Sequence, residues 1–424
     1  MNKLLAAAMS LVAAMGGLVS DVLPSPGNDE ITCDATDEAI YGSPEQVEAD
    51  PGVVLACAAS DFPEIVTDIP ITAWKVRYAS TDVHGTRVPV SGLVAVPEAE
   101  WRGEGPRPVV AFNPGTVGLG TQCAYSKQMA GNYTDAYERY QLAAALEAGY
   151  AVAATDGVGY LDGQVHSYMV GDNSGRALLD VARAATSLPA AGLAESAQVG
   201  LWGYSEGGQA ALWATQLAGS YAGELDIVGA AAGGVPGDLR LVAGELNGGD
   251  FAGFAGAALV GFHVTYPEMP FDELLNDTGR EAVAALEGSC LIDTIFDFRG
   301  ARIEDFNTDG LGPAELFELT GPDGVSWGEI ADRQKLGVGI GTPGSGAEHE
   351  IAFPTFQYRG KTEQIIPVET EEATMRAYCA AGVPTRWRDD IEGDHLGAAR
   401  AVIPDVLDWF ADRLAGEPEP GDCG

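Results

Sequence analysis

The residues with the most direct chemical meaning are Gly203-Tyr204-Ser205-Glu206-Gly207, a Gly-x-Ser-x-Gly sequence. An apolar strand-like run, Val199–Trp202, leads into it, and a helical run of Ala and Leu, Gly207–Leu217, leads out. A serine on a tight strand-to-helix turn projects its Oγ above a sheet. Glycines two before and two after let strand and helix approach closely, and the helix N-terminus favours the negative charge that develops when the hydroxyl attacks a carbonyl. With 56 glycines in the chain the bare pattern arises easily by chance, so the strand before and the helix after give it its weight. A structural turn is the competing reading. A serine hydroxyl is a poor nucleophile without a base, a group that orients the base, and donors for the developing oxyanion.

These groups must be positioned by the elements around them. Ile71–Ser80 and Arg87–Val96 read as two strands joined through Thr81-Asp82-Val83-His84-Gly85. Strand-like and helical runs then alternate. They are Pro108–Phe112 (strand), Ala136–Ala148 (helix), Ala151–Thr155 (strand), Gly175–Ser187 (helix), the elbow pair, and Asp226–Ala231 (strand). The alternation resumes with strand Pro354–Tyr358, helix Glu369–Ala381, strand Pro384–Arg388 and helix Pro404–Leu414. Such alternation predicts a mostly parallel sheet flanked by helices on both faces. Together with the elbow it predicts an α/β-hydrolase fold. The intervening stretch is rich in Gly and acidic residues and lacks the alternation, which predicts an inserted cap. The expected organisation is an N-terminal arm over 21–70, a core over 71–236 and 348–416, and a cap over 237–347.

In this fold the chain order is serine, acid, histidine. Only His263, His349 and His395 follow Ser205. His263 sits in an apolar cap segment and His349 where the cap rejoins the sheet, so both read as structural. His395 lies between the last strand and the last helix, where the fold places its base. For the acid, Glu363 stands just past the Pro354–Tyr358 strand, 32 residues before His395. Asp389, Asp390 and Asp394 compete, but they sit on the histidine's own loop and read as solvated. The oxyanion donors are expected from the backbone N–H of Glu206, which follows the nucleophile, and of Thr116 in Asn113-Pro114-Gly115-Thr116. An ordinary Gly/Pro turn is the alternative for the latter. No cofactor is required by this chemistry.

The chain has 424 residues, 46% hydrophobic, enough for one large domain with an insertion. Against 62 Asp and Glu stand only 23 Lys and Arg, a formal charge of -39. Nucleic acid and anionic membrane surfaces repel such a chain, and the acidity reads as a solvated surface. Lys3 followed by the apolar run Leu4–Met15 gives residues 1–20 the form of a removed secretory signal peptide, with no clean Ala-x-Ala before Asp21 to fix the cleavage point and a retained anchor as the alternative. The best later apolar run, Phe251–Phe262, has twelve residues. A membrane span needs about 20. Six cysteines in an exported chain allow up to three disulfides in fifteen connectivities. Proximity in sequence favours Cys33 with Cys57 and Cys379 with Cys423, leaving Cys123 with Cys290. No Cys-x-x-Cys zinc pattern occurs.

Several segments together carry a family resemblance. Thr155-Asp156-Gly157-Val158-Gly159-Tyr160, His166-Ser167-Tyr168-Met169-Val170-Gly171, the elbow, Tyr221-Ala222-Gly223-Glu224-Leu225, and Gly118-Leu119-Gly120-Thr121-Gln122-Cys123-Ala124-Tyr125-Ser126 occur in order. Over roughly residues 70–415 the sequence resembles the secretory lipases, the family of Candida antarctica lipase A and many actinobacterial exported lipases. The resemblance implies an α/β-hydrolase with a helical cap that cleaves carboxylic esters, triacylglycerols among them, with the triad on Ser205, Glu363 and His395. It also implies the Cys123–Cys290 pairing. Two departures stand out: Pro114-Gly115-Thr116 where the family has His-Gly-Thr, and Glu363 where it has Asp. Proline removes an N–H at 114 but not at 116.

The expected partner is a lipid or small-molecule ester. Phe251, Phe254 and Phe262 fall at helical spacing with Ala255 and Ala258, and this face is expected either to fill the cap core or to line the acyl pocket. Asp305-Phe306-Asn307-Thr308-Asp309-Gly310 matches the first half of a calcium loop. Glu315 comes one position too early, however, and Leu316 stands where the bidentate Glu belongs, so a polar surface turn is expected. Two rival functions remain: an exported binding protein that has kept the fold without catalysis, and a serine peptidase on the same fold.

Overall fold

The computed structural model of the chain describes residues 31–133, 135 and 137–423. The segment read as a signal peptide lies outside the described residues. The strands are β1 (Val54–Ala59), β2 (Ile71–Thr81), β3 (Arg87–Pro97), β4 (Val109–Asn113), β5 (Ala151–Gly157), β6 (Val199–Tyr204), β7 (Ile227–Gly233), β8 (Ile340–Gly341), β9 (His349–Glu350), β10 (Thr355–Gly360) and β11 (Thr385–Ile391). Nine of them form one sheet in the order β1-β2-β3-β5-β4-β6-β7-β10-β11. Pairs from β1 to β5 along this order are antiparallel up to the β3–β5 pair, and every pair from β5–β4 to β10–β11 is parallel. β8 and β9 make a separate two-stranded ladder.

Burial of both faces explains why the parallel strands read as continuous apolar runs rather than alternating ones. Along β4, Val109 and Ala111 enter one core and Val110 and Phe112 the other. In β6, Val199 and Leu201 face the helices Gly171–Ser187 and Glu206–Tyr221, while Trp202 and Tyr204 face the side of Arg139–Glu147, His395–Ala401 and Ile403–Leu414. The sheet is thus sandwiched between two helix layers.

Residues 31–70 are more regular than their sequence suggests. Asp37–Tyr41 is a short helix, and β1 adds to the open edge of β2, held by the Cys33–Cys57 disulfide. The other edge is covered by the C-terminal tail: Asp422 N donates to Thr385 O (2.7 Å), Trp387 N donates to Asp422 Oδ2 (2.9 Å), and Cys379–Cys423 ties the tail down. The tail thereby shields the β11 edge from further strand addition, while on the outer side of β1 Ala35 N donates to Cys57 O and Ala59 N to Cys33 O.

Between β7 and β10 the chain forms the helices Leu239–Leu246, Gly253–Thr265, Asp277–Gly288, Leu291–Asp297, Pro313–Phe317 and Trp327–Arg333. Their shared cluster, with Ala257, Val260, Phe262 and Trp327, takes in Leu119, Tyr168, Met169 and Val170 from the loops above the sheet. The approach is close. A Cβ added at Gly261 would lie 2.3 Å from Tyr168 O, so only glycine lets this helix sit on that backbone. Cys123–Cys290 closes the same junction covalently. No helix among the described residues is long and apolar enough to cross a membrane.

Candidate active site

Ser205 occupies the turn between β6 and the helix Glu206–Tyr221 with φ 59° and ψ -121°. A left-handed φ is uncommon for a residue with a Cβ and marks stored strain. The two elbow glycines are required by the space around them. A Cβ on Gly203 would lie 2.1 Å from Gly207 O, and one on Gly207 would lie 2.0 Å from Asn113 O. The second distance also places the Asn113–Thr116 loop directly against the elbow. Ser205 N donates to Gly233 O at the end of β7 (2.8 Å), which fixes the turn on the sheet.

His395 starts the helix after β11, and Glu363 follows β10. Neither side chain is open to solvent, at 2% and 0% exposure. His395 Nδ1 lies 2.8 Å from both Glu363 Oε1 and Oε2. The extra methylene of Glu therefore reaches the imidazole from this backbone. Glu363 Oε1 also accepts from Ile365 N (2.8 Å) and Ile366 N (3.1 Å). Burial works to raise the Glu363 pKa, but the bonds and charge of His395 together with the two N–H donors hold it below the ordinary Glu value. The Glu363 and His395 loops are laced together by His395 N to Gln364 Oε1 (3.0 Å), Lys361 N to Ile391 O and Thr362 N to Gly393 O. The imidazole lies over the elbow: its ring is 4.9 Å from the Tyr204 ring, and its Cε1 is 3.0 Å from where a Gly234 Cβ would stand. Ser205 Oγ makes no hydrogen bond among the described residues.

The competing carboxylates are elsewhere engaged. Asp394 caps the His395–Ala401 helix through Gly397 N (2.9 Å), Asp390 pairs with Arg388, and Asp389 is exposed. His263 stacks on Phe271 and His349 abuts Trp213, neither at the serine.

Two backbone N–H groups at or beside the elbow lack a backbone acceptor. Glu206 N–H is in the first turn of its helix, where no intrahelical acceptor exists. Thr116 N–H finds no acceptor among the described residues. Sequence reasoning missed what holds these two residues. The Glu206 side chain is buried on His166, with Nε2 2.6 Å from Oε1, while His166 Nδ1 lies 2.8 Å from Val158 O. A carbonyl only accepts, so Nδ1 donates and one proton is shared between Nε2 and Oε1. Thr116 Oγ1 meets Tyr168 Oη at 2.8 Å, and Gly115 N donates to the buried Glu138 carboxyl. Burial pushes the Glu138 pKa well above the ordinary Glu range. His166 and Tyr168 stand in a motif already conspicuous in the sequence, but nothing in a sequence tells which side chains 40 and 52 residues away they meet.

The cavity at Ser205 is lined by Tyr168, Met169, Leu239, Val242, Phe254, Ala255, Ala258, Ile365 and Ile366, an apolar wall with few polar groups. Phe254 is part of it. Phe262 instead lines an adjoining cavity with Leu259 and Phe317, and Phe251 lines neither, stacking on Phe254 with centroids 6.1 Å apart. At the half calcium loop, Asn307 is occupied internally: its Nδ2 donates to Ile303 O and Leu311 O, and its Oδ1 accepts from Leu311 N. Asp305 and Asp309 are exposed, and no group of three potential ligands is gathered among the described residues.

The secretory lipase family matches residues 126–422. The chain belongs to this family, and with it to the carboxylic ester hydrolases. It is 29% identical over 357 residues to a Mycobacterium tuberculosis protein named "Probable inactive lipase", covering 82% of this chain and 75% of that one. To Lipase 5 of Candida albicans it is 31% identical over 294 residues, covering 68% of this chain but only 59% of the relative. In three dimensions it superimposes on Candida antarctica lipase A in its closed state with a TM-score of 0.73 and 23% identity, covering 87% of this chain and 83% of that one. The Xanthomonas oryzae esterase LipA, a rice cell wall degrading enzyme, matches with a TM-score of 0.66 and 18% identity over 87% of this chain and 100% of that one. These likenesses establish the α/β-hydrolase fold.

Proposed function

We propose that the chain is an exported serine carboxylester hydrolase acting on acyl esters such as acylglycerols. Its core spans 71–236 and 348–416, and 237–347 forms a cap over the active site. The observation that carries the reading is the buried Glu363–His395 pair, with both carboxylate oxygens 2.8 Å from Nδ1, beside a serine held at positive φ.

Glu363 keeps the Nδ1–H tautomer, which leaves Nε2 unprotonated to act as base. As Ser205 Oγ bonds to the ester carbonyl carbon, its proton passes to His395 Nε2, and the carbonyl π electrons move onto oxygen. The oxyanion rests on Thr116 and Glu206 N–H. Collapse of the tetrahedral adduct breaks the bond to the alkoxy oxygen, which takes the proton from Nε2 and leaves as alcohol. Water repeats the sequence on the acyl-enzyme, giving the carboxylic acid and free Ser205. Ser205 Oγ joins His395 as substrate enters, in keeping with the looser contacts of unliganded sites. The acyl chain lies against Phe254, Leu239 and Ala258, where each buried methylene contributes about 0.8 kcal/mol.

A second reading, a hydrolase fold without turnover, is favoured by the inactive name of the mycobacterial relative and by the unbonded Ser205 hydroxyl. One experiment separates them. A fluorophosphonate should label Ser205, and Ser205→Ala should lose both label and ester hydrolysis while melting as a folded protein. An unlabelled wild type, or an Ala variant that still turns over ester, sinks the hydrolase reading.

A further inference from the structure

Thr116 Oγ1 and Tyr168 Oη form an isolated hydroxyl pair 2.8 Å apart, both residues being 5% exposed or less. Two hydroxyls carry two donor protons, and the bond between them uses one. Neither oxygen makes another hydrogen bond among the described residues, so one buried O–H has no protein acceptor. Burial, with the charge of Glu206, raises the Tyr168 pKa, so the phenol keeps its proton at working pH. A phenol is the better donor of the two and an aliphatic hydroxyl the better acceptor. Tyr168 therefore donates to Thr116 Oγ1, and the spare proton is that of Thr116.

This spare donor belongs to the residue whose backbone N–H is also free, on the loop pressed against the elbow at Gly207. Tyr168 is held rigidly. Met169, which follows it, has φ 63° and is, with Ser205, one of two described non-glycine residues at positive φ. Both line the same cavity. From the other side the cap helix touches the Tyr168 backbone at Gly261. Strain persists only where surrounding packing enforces it, and here it fixes a tyrosine beside the nucleophile.

We propose that the Thr116 hydroxyl is a third donor to the oxyanion, with Tyr168 as the positioning residue that orients it. The inference rests on the serine-hydrolase reading above. A chain of two hydroxyls also polarises cooperatively, so Tyr168 strengthens the donor as well as aiming it.

The test is steady-state kinetics on a short-chain p-nitrophenyl ester, with active sites titrated by fluorophosphonate. Thr116→Val keeps the shape and the backbone N–H but removes the hydroxyl. It should lower kcat by about 10²-fold with KM nearly unchanged, the signature of an interaction made only in the transition state. Thr116→Ser should restore kcat to within a few-fold, and Tyr168→Phe should lose about tenfold in kcat. The double variant Thr116→Val/Tyr168→Phe should be no worse than Thr116→Val alone, because Tyr168 acts through the deleted hydroxyl. Unchanged kcat in Thr116→Val, a Thr116→Ser variant as poor as Val, or additive losses in the double variant would each overturn the proposal while leaving wild-type turnover and the hydrolase reading intact. Should Thr116→Val fail to fold, Tyr168→Phe decides: unchanged kcat, or a loss confined to KM, overturns it. A wild type that neither labels nor turns over ester overturns both.

Discussion

Replacing Glu363 by Gln tests the acid assignment in an isosteric background, and the structure sets the size of the effect. In the wild type, Oε1 accepts from Ile365 N and Ile366 N, and His395 Nδ1 lies 2.8 Å from both oxygens. The amide of Gln can keep its oxygen on the two backbone donors, but its NH₂ then faces Nδ1. His395 must move its proton to Nε2 to accept, and that tautomer cannot take the proton from Ser205. Turning the amide to restore the productive tautomer gives up two hydrogen bonds at about 1 kcal/mol each, a factor of about 30. Even that rotamer lacks the negative charge that stabilises the imidazolium, worth about 1.5–3 kcal/mol as a charge-assisted bond. Together the terms predict a kcat loss of about 10³-fold. The assay is kcat on a soluble ester, with thermal melting as the folding control. The pH dependence gives an independent check. A carboxylate whose folded pKa is depressed contributes stability above the unfolded Glu value, and this contribution disappears as pH falls through the lower folded value. The stability advantage of wild type over Glu363→Gln should therefore shrink on acidification below about pH 4. A Gln variant within tenfold of wild type, or a severe Asp394→Asn variant, would refute the assignment, since Asn at 394 keeps the oxygen that caps Gly397 N.

Phe254→Ala enlarges the cavity that contains Ser205, and the preferred acyl length should move to longer chains while short-ester turnover persists; the same truncation should cost about 3–5 kcal/mol of stability. Lower melting with an unchanged chain-length profile would assign Phe254 to packing alone. Glu138→Gln keeps an acceptor for Gly115 N–H but cannot ionise, whereas Glu138→Ala leaves that N–H without its partner, a cost of about 1–3 kcal/mol. Because burial raises the Glu138 pKa, the folded state holds a proton that the unfolded chain releases, and stability linked to this group is lost as pH rises above the unfolded Glu value. The melting temperature of Glu138→Gln relative to wild type should accordingly rise as pH climbs above the unfolded Glu value, and a difference that stays flat with pH would contradict a raised Glu138 pKa.

How far such a site can be read from sequence depends on which constraints are local. The elbow was legible because its chemistry and its sterics lie within five residues, and the two glycines are demanded by contacts of 2.0–2.1 Å. The strands of the parallel sheet were legible because burial on both faces leaves continuous apolar runs. β1 was not, because Val54-Leu55-Ala56-Cys57-Ala58-Ala59 is made of mostly small residues at a sheet edge, with only half its side chains buried. Helical spacing grouped Phe251, Phe254 and Phe262, yet the helix begins at Gly253, so Phe251 lies outside it. Phe262, eight residues after Phe254, has turned about 80° past it at 100° per residue, far enough to face the neighbouring cavity. The interactions that hold the proposed oxyanion donors, Thr116 with Tyr168 and Glu206 with His166, join elements through the fold and leave no spacing to find. A candidate nucleophile can be named from a short motif, but the groups proposed to set its rate are assembled by topology. A relative that keeps the Gly-x-Ser-x-Gly sequence and loses these distant partners would look equally competent in sequence, and substitutions at Thr116, Tyr168 or His166 are where a loss of turnover within this family should be sought.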